Sequence, residues 1–202
     1  EVRPDIVIHL AAQPLVFESY HRPFATFFIN ILGSLNVFDL SNKLSSGRVI
    51  NFTSDKVYKN KNKNNAFKET DILQGSDPYS LSKSCVDMIG QSLNVKHKNI
   101  INGLKISTIR CGNIIGGGDW SKYRLIPDYY SAYISNKNLK VRQPSNTRPW
   151  QHVINPIYII YQMIKKNNSK FIDEFNIGPN QYNYNVRYVL SELNKLNKNK
   201  KV

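Results

Sequence analysis

Apolar residues occur in two rhythms along this chain. Short unbroken runs appear at 5–12 (D-I-V-I-H-L-A-A), 49–53 (V-I-N-F-T) and 106–111 (I-S-T-I-R-C). Runs this short that are apolar rather than strictly alternating predict strands buried on both faces, as in a parallel sheet. Between them the apolar positions recur at helical spacing: Phe28, Ile29, Leu32, Leu35 and Phe38 within 24–44, then Val86, Ile89 and Leu93 within 77–95. Gln13-Pro14 ends the first run and Gly47 precedes the second. Asp77 suits a helix N-cap and Pro78 the first helical position. Strand, helix, strand, helix, strand predicts an α/β fold, part of a doubly wound parallel sheet with crossover helices.

After Gly118 the rhythm changes. Helices are predicted over 127–135, 155–166 (Asn155 as cap, Pro156 at the first position) and 186–196. Short strands are predicted over 139–142 and 175–178, the latter returning to the core. The Lys/Asn-rich stretch 60–65 reads as an exposed polar loop. No internal repeat is visible. The organisation expected is a partial Rossmann-like domain over 1–113 and a smaller mixed α/β region over 114–202, with 175–178 rejoining the first.

The 202 residues contain 41% hydrophobic residues, enough for a sizeable core. No leader-like or membrane-spanning apolar run is read from the sequence, so no membrane partner is expected. Cys85 and Cys111 are the only cysteines, which is no disulfide framework and fits a reducing cytoplasm. The formal charge of +14 invites a nucleic-acid reading. The excess is mostly lysine scattered among asparagines, with no arginine-rich helix, so no nucleic-acid partner is expected. No His/Cys/Asp/Glu group has metal spacing, and no metal is expected.

The chemistry concentrates between Val49 and Lys83. A strand ends in Ser54-Asp55-Lys56, and a capped helix opens with Tyr79 and Lys83, which share one face. The same Tyr-x-x-x-Lys spacing at Tyr133/Lys137 and Tyr161/Lys165 reads as ordinary helix surface, because neither pair follows a Ser-Asp strand end. A phenol with a pKa near 10 is a poor base at neutral pH, and an adjacent ammonium favours its phenolate. The alternative for Tyr79 is a core tyrosine. Successive strand residues point to opposite faces, so Asp55 and Lys56 serve one site only where the chain turns.

With H-L-A-A, T-S-D, Tyr79-x-x-x-Lys83 and R-C-G-N in this order, the chain resembles the extended short-chain dehydrogenase/reductase family. Q-P-L-V, T-S-D-K-V-Y, D-P-Y-S-L-S-K, G-N-I-I-G-G-G-D-W, R-L-I-P-D and R-P-W-Q-H-V are similar to the branch that dehydrates CDP-glucose. The resemblance runs to about Asn180. It implies NAD as cofactor, a nucleotide sugar as substrate and a homodimer for the full-length protein. It also implies a deoxysugar role, such as supplying O-antigen synthesis. Ser54, Asp55, Lys56, Tyr79 and Lys83 become the catalytic set. Tyr79 is the base for the sugar 4-hydroxyl, with Ser54 beside it. Asp55 is the acid for the leaving hydroxyl and Lys56 the base for the C5 proton, a role that requires a depressed lysine pKa; the alternative for the pair is a strand-end salt bridge. Ala11, Ala12 and Asn30, with Tyr79 and Lys83, are implied on the cofactor side. Gln13, Asn113, Arg124 and Arg148 are implied on the substrate side, the arginines as partners of the diphosphate. Packing accounts equally for the alanines, a helix-surface amide for Asn30, and surface charge for the arginines. His9, amid apolar residues, His152 and the Asp119-Trp120 turn read as structural.

A dinucleotide fold normally opens with a strand and Gly-x-Gly-x-x-Gly. None precedes Asp5, so a chain truncated at its N-terminus is expected. A 4-epimerase of the same fold and an inactive fragment are the competing readings. An epimerase needs Ser, Tyr and Lys but no acid/base pair at 55 and 56.

Overall fold

The structure is a computed structural model that describes residues 2–59, 66–94, 104–165, 173–180 and 184–198. The loop expected over 60–65 and the lysines at 166, 170, 200 and 201 lie outside these residues. In chain order the elements begin with β1 (Ile6–His9), α1 (Val16–His21), α2 (Pro23–Phe27), a π-helical turn (Phe28–Leu32), α3 (Gly33–Lys43) and β2 (Arg48–Phe52). A 3-10 turn (Asp55–Val57), α4 (Pro78–Asn94), β3 (Lys105–Cys111) and β4 (Ile114–Ile115) follow. The chain continues through α5 (Leu125–Ile134), β5 (Gln151–His152), α6 (Ile154–Lys165), β6 (Glu174–Ile177) and α7 (Val186–Lys198).

Two compact units result. Glu1–Cys111 with Lys165–Ile177 form the first; Gly112–Ile164 with Gly178–Val202 form the second. The first unit holds an all-parallel sheet in the order β1-β2-β3-β6. This is the parallel α/β sheet expected from the unbroken apolar runs. Val49, Ile50, Ile106 and Ile109 have no exposure, because both faces of these strands are covered. Phe38 of α3 and Val86 of α4 complete a core cluster with Val49, Leu104 and Ile106. Gly90 lets α4 approach β3: a Cβ there would lie 3.1 Å from Thr108 Oγ1.

The helical stripe at 24–44 is inverted relative to a simple core-facing reading. Of Phe28, Ile29, Leu32, Leu35 and Phe38, only Phe38 is buried. The inward face is polar, carrying Thr26, Asn30, Ser34 and Ser41. The π-helical turn adds a residue to the repeat and rotates the following segment, a phase change that i+3/i+4 counting does not detect. The 21-residue run Pro23–Lys43 is long and apolar enough to cross a membrane by length and composition, a feature the sequence reading did not find. Its polar face is hydrogen-bonded into the first unit, as described below, so it is a packed helix with an exposed apolar outer face.

Two further differences concern the second unit. Residues 139–142, expected as a short strand, form none, since no neighbouring strand pairs with them among the described residues. The short parallel pair β4-β5, Ile114 opposite Gln151 and Ile115 opposite His152, was too brief to read from a pattern. Tyr129 anchors this unit's interior, its hydroxyl donating to Asn194 Oδ1 at 2.8 Å and accepting from Asn197.

Candidate active site

The site candidates of the first unit gather where β2 ends. The strand stops at Phe52, and Ser54 caps the 3-10 turn Asp55–Val57, its hydroxyl accepting from the Lys56 amide. This supplies the change of direction that a straight strand lacks. Asp55 and Lys56 consequently lie together: Lys56 Nζ is 3.5 Å from Asp55 Oδ1. Ser54 Oγ donates to that same oxygen at 3.1 Å. Ser54 is buried, while Asp55 and Lys56 are half-exposed.

α4 presents the second group. Asp77 caps it through both carboxylate oxygens, accepting from Ser80 N and Ser80 Oγ. Gly75 permits the tight approach to this helix start, where a Cβ would come within 2.2 Å of Ser80 backbone carbon. Tyr79 is 9% exposed, whereas Tyr133 and Tyr161 are 49% and 54% exposed. Burial therefore separates the three Tyr-x-x-x-Lys pairs that spacing leaves equal. Lys83 is buried one turn on, its Nζ donating to Phe52 O at 3.1 Å. Burial pushes its pKa down from 10.5 to about 8.

α4 is stitched to the turn at several points. Lys83 holds Phe52, just before Ser54. Ser84 Oγ donates to Val57 O at 2.8 Å. Tyr79 and Lys83 on one helix face are thus fixed beside the segment that carries Ser54, Asp55 and Lys56.

The loop after β1 contains Ala11, Ala12 and Gln13. Ala11 is exposed and Ala12 half-buried at the carboxyl edge of the sheet. Asn30 is a buried strut in the π-helical turn. Its Oδ1 accepts from Gln13 N at 2.8 Å, and its Nδ2 donates to Gln13 O and to Ser82 Oγ. It positions the loop and ties it to α4, rather than lying on a helix surface. The Gln13 side chain is likewise spent on the loop, donating to Thr26 Oγ1 and Leu15 O and accepting from Leu15 N. His9 is buried against Ser34 Oγ at 2.9 Å. Burial, then the nearby Lys83 charge, lowers its pKa, so it stays neutral in a structural role.

In the second unit, Asn113 O accepts from Gln151 N, and Asn113 Oδ1 is a buried atom without a protein partner. Arg124 pairs with Asp119 at 2.8 Å. Burial raises the Asp119 pKa, but the Arg124 and Ser121 hydrogen bonds outweigh it and hold it low. Arg148 is exposed beside Tyr184 O. Trp120 is 73% exposed, so it does not pack the turn as expected. His152 Nδ1 accepts from Ile154 N and shapes the start of α6.

A buried network escaped the sequence reading. Arg110 and Asp87 form a bidentate ion pair with both side chains at 0% exposure. Tyr58, Glu69 and Asn176 complete it. The one available signal was a charged residue in each of two apolar patterns: Arg110 in β3, and Asp87 four residues beyond Lys83.

The model of the NAD dependent epimerase/dehydratase family matches residues 1–178. The CDP-glucose 4,6-dehydratase of Salmonella typhimurium is 36% identical over 187 residues, covering 89% of this chain and 52% of the relative. The UDP-glucose 4-epimerase of Mycoplasma genitalium is 25% identical over 196 residues, 88% of this chain and 56% of the relative. Among solved structures, the fold is similar to the dTDP-glucose 4,6-dehydratase of Streptomyces venezuelae solved with NAD, with a TM-score of 0.83 at 20% identity, over 96% of this chain and 57% of that one. The Thermotoga maritima UDP-glucose 4-epimerase solved with UDP-glucose gives 0.82 at 22% identity, over 99% and 63%. The chain spans about half the length of the curated relatives it matches. With the matched model covering most of its length and the sheet and helices in that family's arrangement, the chain belongs to the NAD dependent epimerase/dehydratase family.

Proposed function

We propose that the protein containing this chain dehydrates CDP-glucose to CDP-4-keto-6-deoxyglucose. The observation that carries this reading is the Ser54-Asp55-Lys56 turn, stitched to the helix face of Tyr79 and Lys83. The 36% identical CDP-glucose 4,6-dehydratase supports the nucleotide.

The residues at the sheet edge fit the nicotinamide end of NAD. Ala11 offers no side chain beyond Cβ, and Lys83 has three N–H donors of which Phe52 O takes one. Bound there, NAD would supply the hydride acceptor for C4 of the sugar and the hydride donor for C6. Lys83, with a pKa of about 8, is mostly charged at pH 7 and favours the Tyr79 phenolate. Tyr79 takes the proton of the 4-hydroxyl, and Ser54 hydrogen-bonds the same oxygen. The 4-ketone so formed acidifies C5. A proton passed from Lys56 to Asp55 across their 3.5 Å contact leaves a neutral amine and a carboxylic acid; Lys56 then removes the C5 proton, Asp55 protonates the departing 6-hydroxyl, which leaves as water, and Lys56 returns its proton to C5 when C6 is reduced. Asn30 acts by holding the loop of Ala11 and Ala12. On this reading the first unit serves the cofactor and the chemistry. The second unit serves the substrate, with Asn113, Arg124 and Arg148 assigned to the nucleotide diphosphate; Gln13 of the first unit acts through its loop.

The exposed apolar face of Pro23–Lys43, together with Leu81 and Met88 of α4, is assigned to a second copy in a homodimer. The place of action is the cytoplasm, supplying a deoxysugar precursor for surface polysaccharide such as O-antigen.

A 4-epimerase is the second reading, favoured by the 25% identical UDP-glucose 4-epimerase. Asp55 decides between them. In Asp55→Asn, a dehydratase keeps C4 oxidation, seen as enzyme-bound NADH absorbance in a single turnover, and loses at least 100-fold in 6-deoxy product. An epimerase loses neither step and never makes the 6-methyl group.

A further inference from the structure

Thr53 and Tyr58 flank the turn that carries Ser54, Asp55 and Lys56. Both are tied to one buried ion pair. Thr53 Oγ1 shares its proton between Asp87 Oδ2 at 3.1 Å and Ile109 O at 3.2 Å. Tyr58 OH accepts from Arg110 NH1 at 2.9 Å and donates to Asn176 Oδ1 at 2.7 Å. Arg110 closes the frame on Asp87 with two further bonds of 2.8 Å. Its remaining reach goes to Glu69 O, while Gln91 Nε2 donates to Asp87 Oδ1. Tyr58 is fixed from a second side by stacking on Phe67, centroids 4.7 Å apart at 12°.

Asp87 lies on α4 four residues after Lys83 and eight after Tyr79, on the same helix face. Three contacts of this one helix therefore meet the turn segment: Lys83 at Phe52, Asp87 at Thr53 and Ser84 at Val57. A buried ion pair gains little stability over apolar residues of similar size, so stability is a weak reason for placing one inside this sheet. Its fixed geometry is a better one, because a bidentate fork sets both distance and orientation.

We propose that Asp87, Arg110 and Tyr58 are positioning residues that hold the 54–57 turn at a set place and orientation relative to Tyr79 and Lys83. They touch no reacting atom. Through the turn they govern elimination of water and leave C4 oxidation to Tyr79 and Lys83. This second statement rests on the dehydratase reading; the positional one does not.

Asp87→Ala alone strands a buried guanidinium and is expected to unfold, so it is not the test. Tyr58→Phe removes only the hydroxyl ties, and the double variant Asp87→Leu/Arg110→Met removes both charges together. Each is made in the complete gene product. Amide hydrogen exchange is read over 53–58, with thermal unfolding as control. Exchange at least tenfold faster in that segment, with β2, β3 and the rest of α4 unchanged in folded variants, is the expected result. Unchanged exchange in both folded variants overturns the proposal. On activity, a fall of tenfold or more in 6-deoxy product with C4 oxidation within twofold of wild type is expected. Equal loss of both steps means a general structural role and overturns it. A wild type that forms no 6-deoxy product defeats the dehydratase reading instead, and the exchange result still decides the positional claim.

Discussion

Lys83 shows how burial becomes chemistry at one residue. Its ammonium is desolvated beside the end of β2, and its pKa falls to about 8 from 10.5. Below pH 8 both folded and unfolded chains carry the proton, and the folded state bears the full desolvation penalty. Between 8 and 10.5 the unfolded chain binds more protons, so stability rises with pH across that window. At about 1.4 kcal/mol per pKa unit the rise is on the order of 3 kcal/mol. Denaturant titrations of nucleotide-free protein at pH 7 to 10 are expected to show this upward trend. Lys83→Met is expected to flatten it, to match or exceed wild-type stability at pH 7, and to lose the activity. On the proposed reading Tyr79→Phe is expected to leave the fold unchanged and to lower kcat about 100-fold or more, the effect of losing a general base. As candidates the pair was legible: Tyr79 and Lys83 stood out by spacing and by the preceding Ser-Asp. Burial, which separates Tyr79 from Tyr133 and Tyr161, was not, because it depends on residues distant in sequence.

Among the elements, α4 organises the site. Its start was readable in Asp77-Pro78, and Asp77 indeed caps it. Asp77→Ala is expected to cost about 1 kcal/mol in thermal or denaturant unfolding. Gly75→Ala is expected to cost more than that, since a Cβ meets helix backbone that cannot move aside. The three main strands were legible because parallel strands buried on both faces leave an unbroken apolar run. The π-helical turn was not, since one extra residue shifts the phase without any residue type announcing it. The turn at Asp55–Val57 was foreseen only as a condition on Asp55 and Lys56 acting together. The structure supplies the turn through the Ser54 cap, whose hydroxyl accepts from the Lys56 amide, a local bond that no residue type announces by itself. The Arg110–Asp87 pair was hidden for a related reason: a charge inside an apolar pattern announces itself, but its partner lies 23 residues away.

At the scale of the molecule, an exposed apolar surface covers the outer face of Pro23–Lys43. Phe24, Phe28, Ile29, Leu32 and Leu40 are all exposed there. Contiguous apolar patches of this kind mark interaction sites. We assign this one to a second copy of the chain. Phe28→Glu in the complete gene product is expected to convert a dimer to a monomer in sedimentation equilibrium, and an unchanged mass would remove that assignment. The central claim concerns the reaction itself, and solvent deuterium reads it directly. Elimination takes a proton from C5 and replaces it from a group that exchanges with water, while the hydrogen moved from C4 to C6 stays on the sugar. The complete gene product is incubated with NAD and CDP-glucose in deuterium oxide and followed by proton NMR. The account predicts a new 6-methyl signal from a 4-keto product that carries deuterium at C5. A product that keeps its 6-hydroxymethyl group and its C5 proton, inverted only at C4, would contradict it.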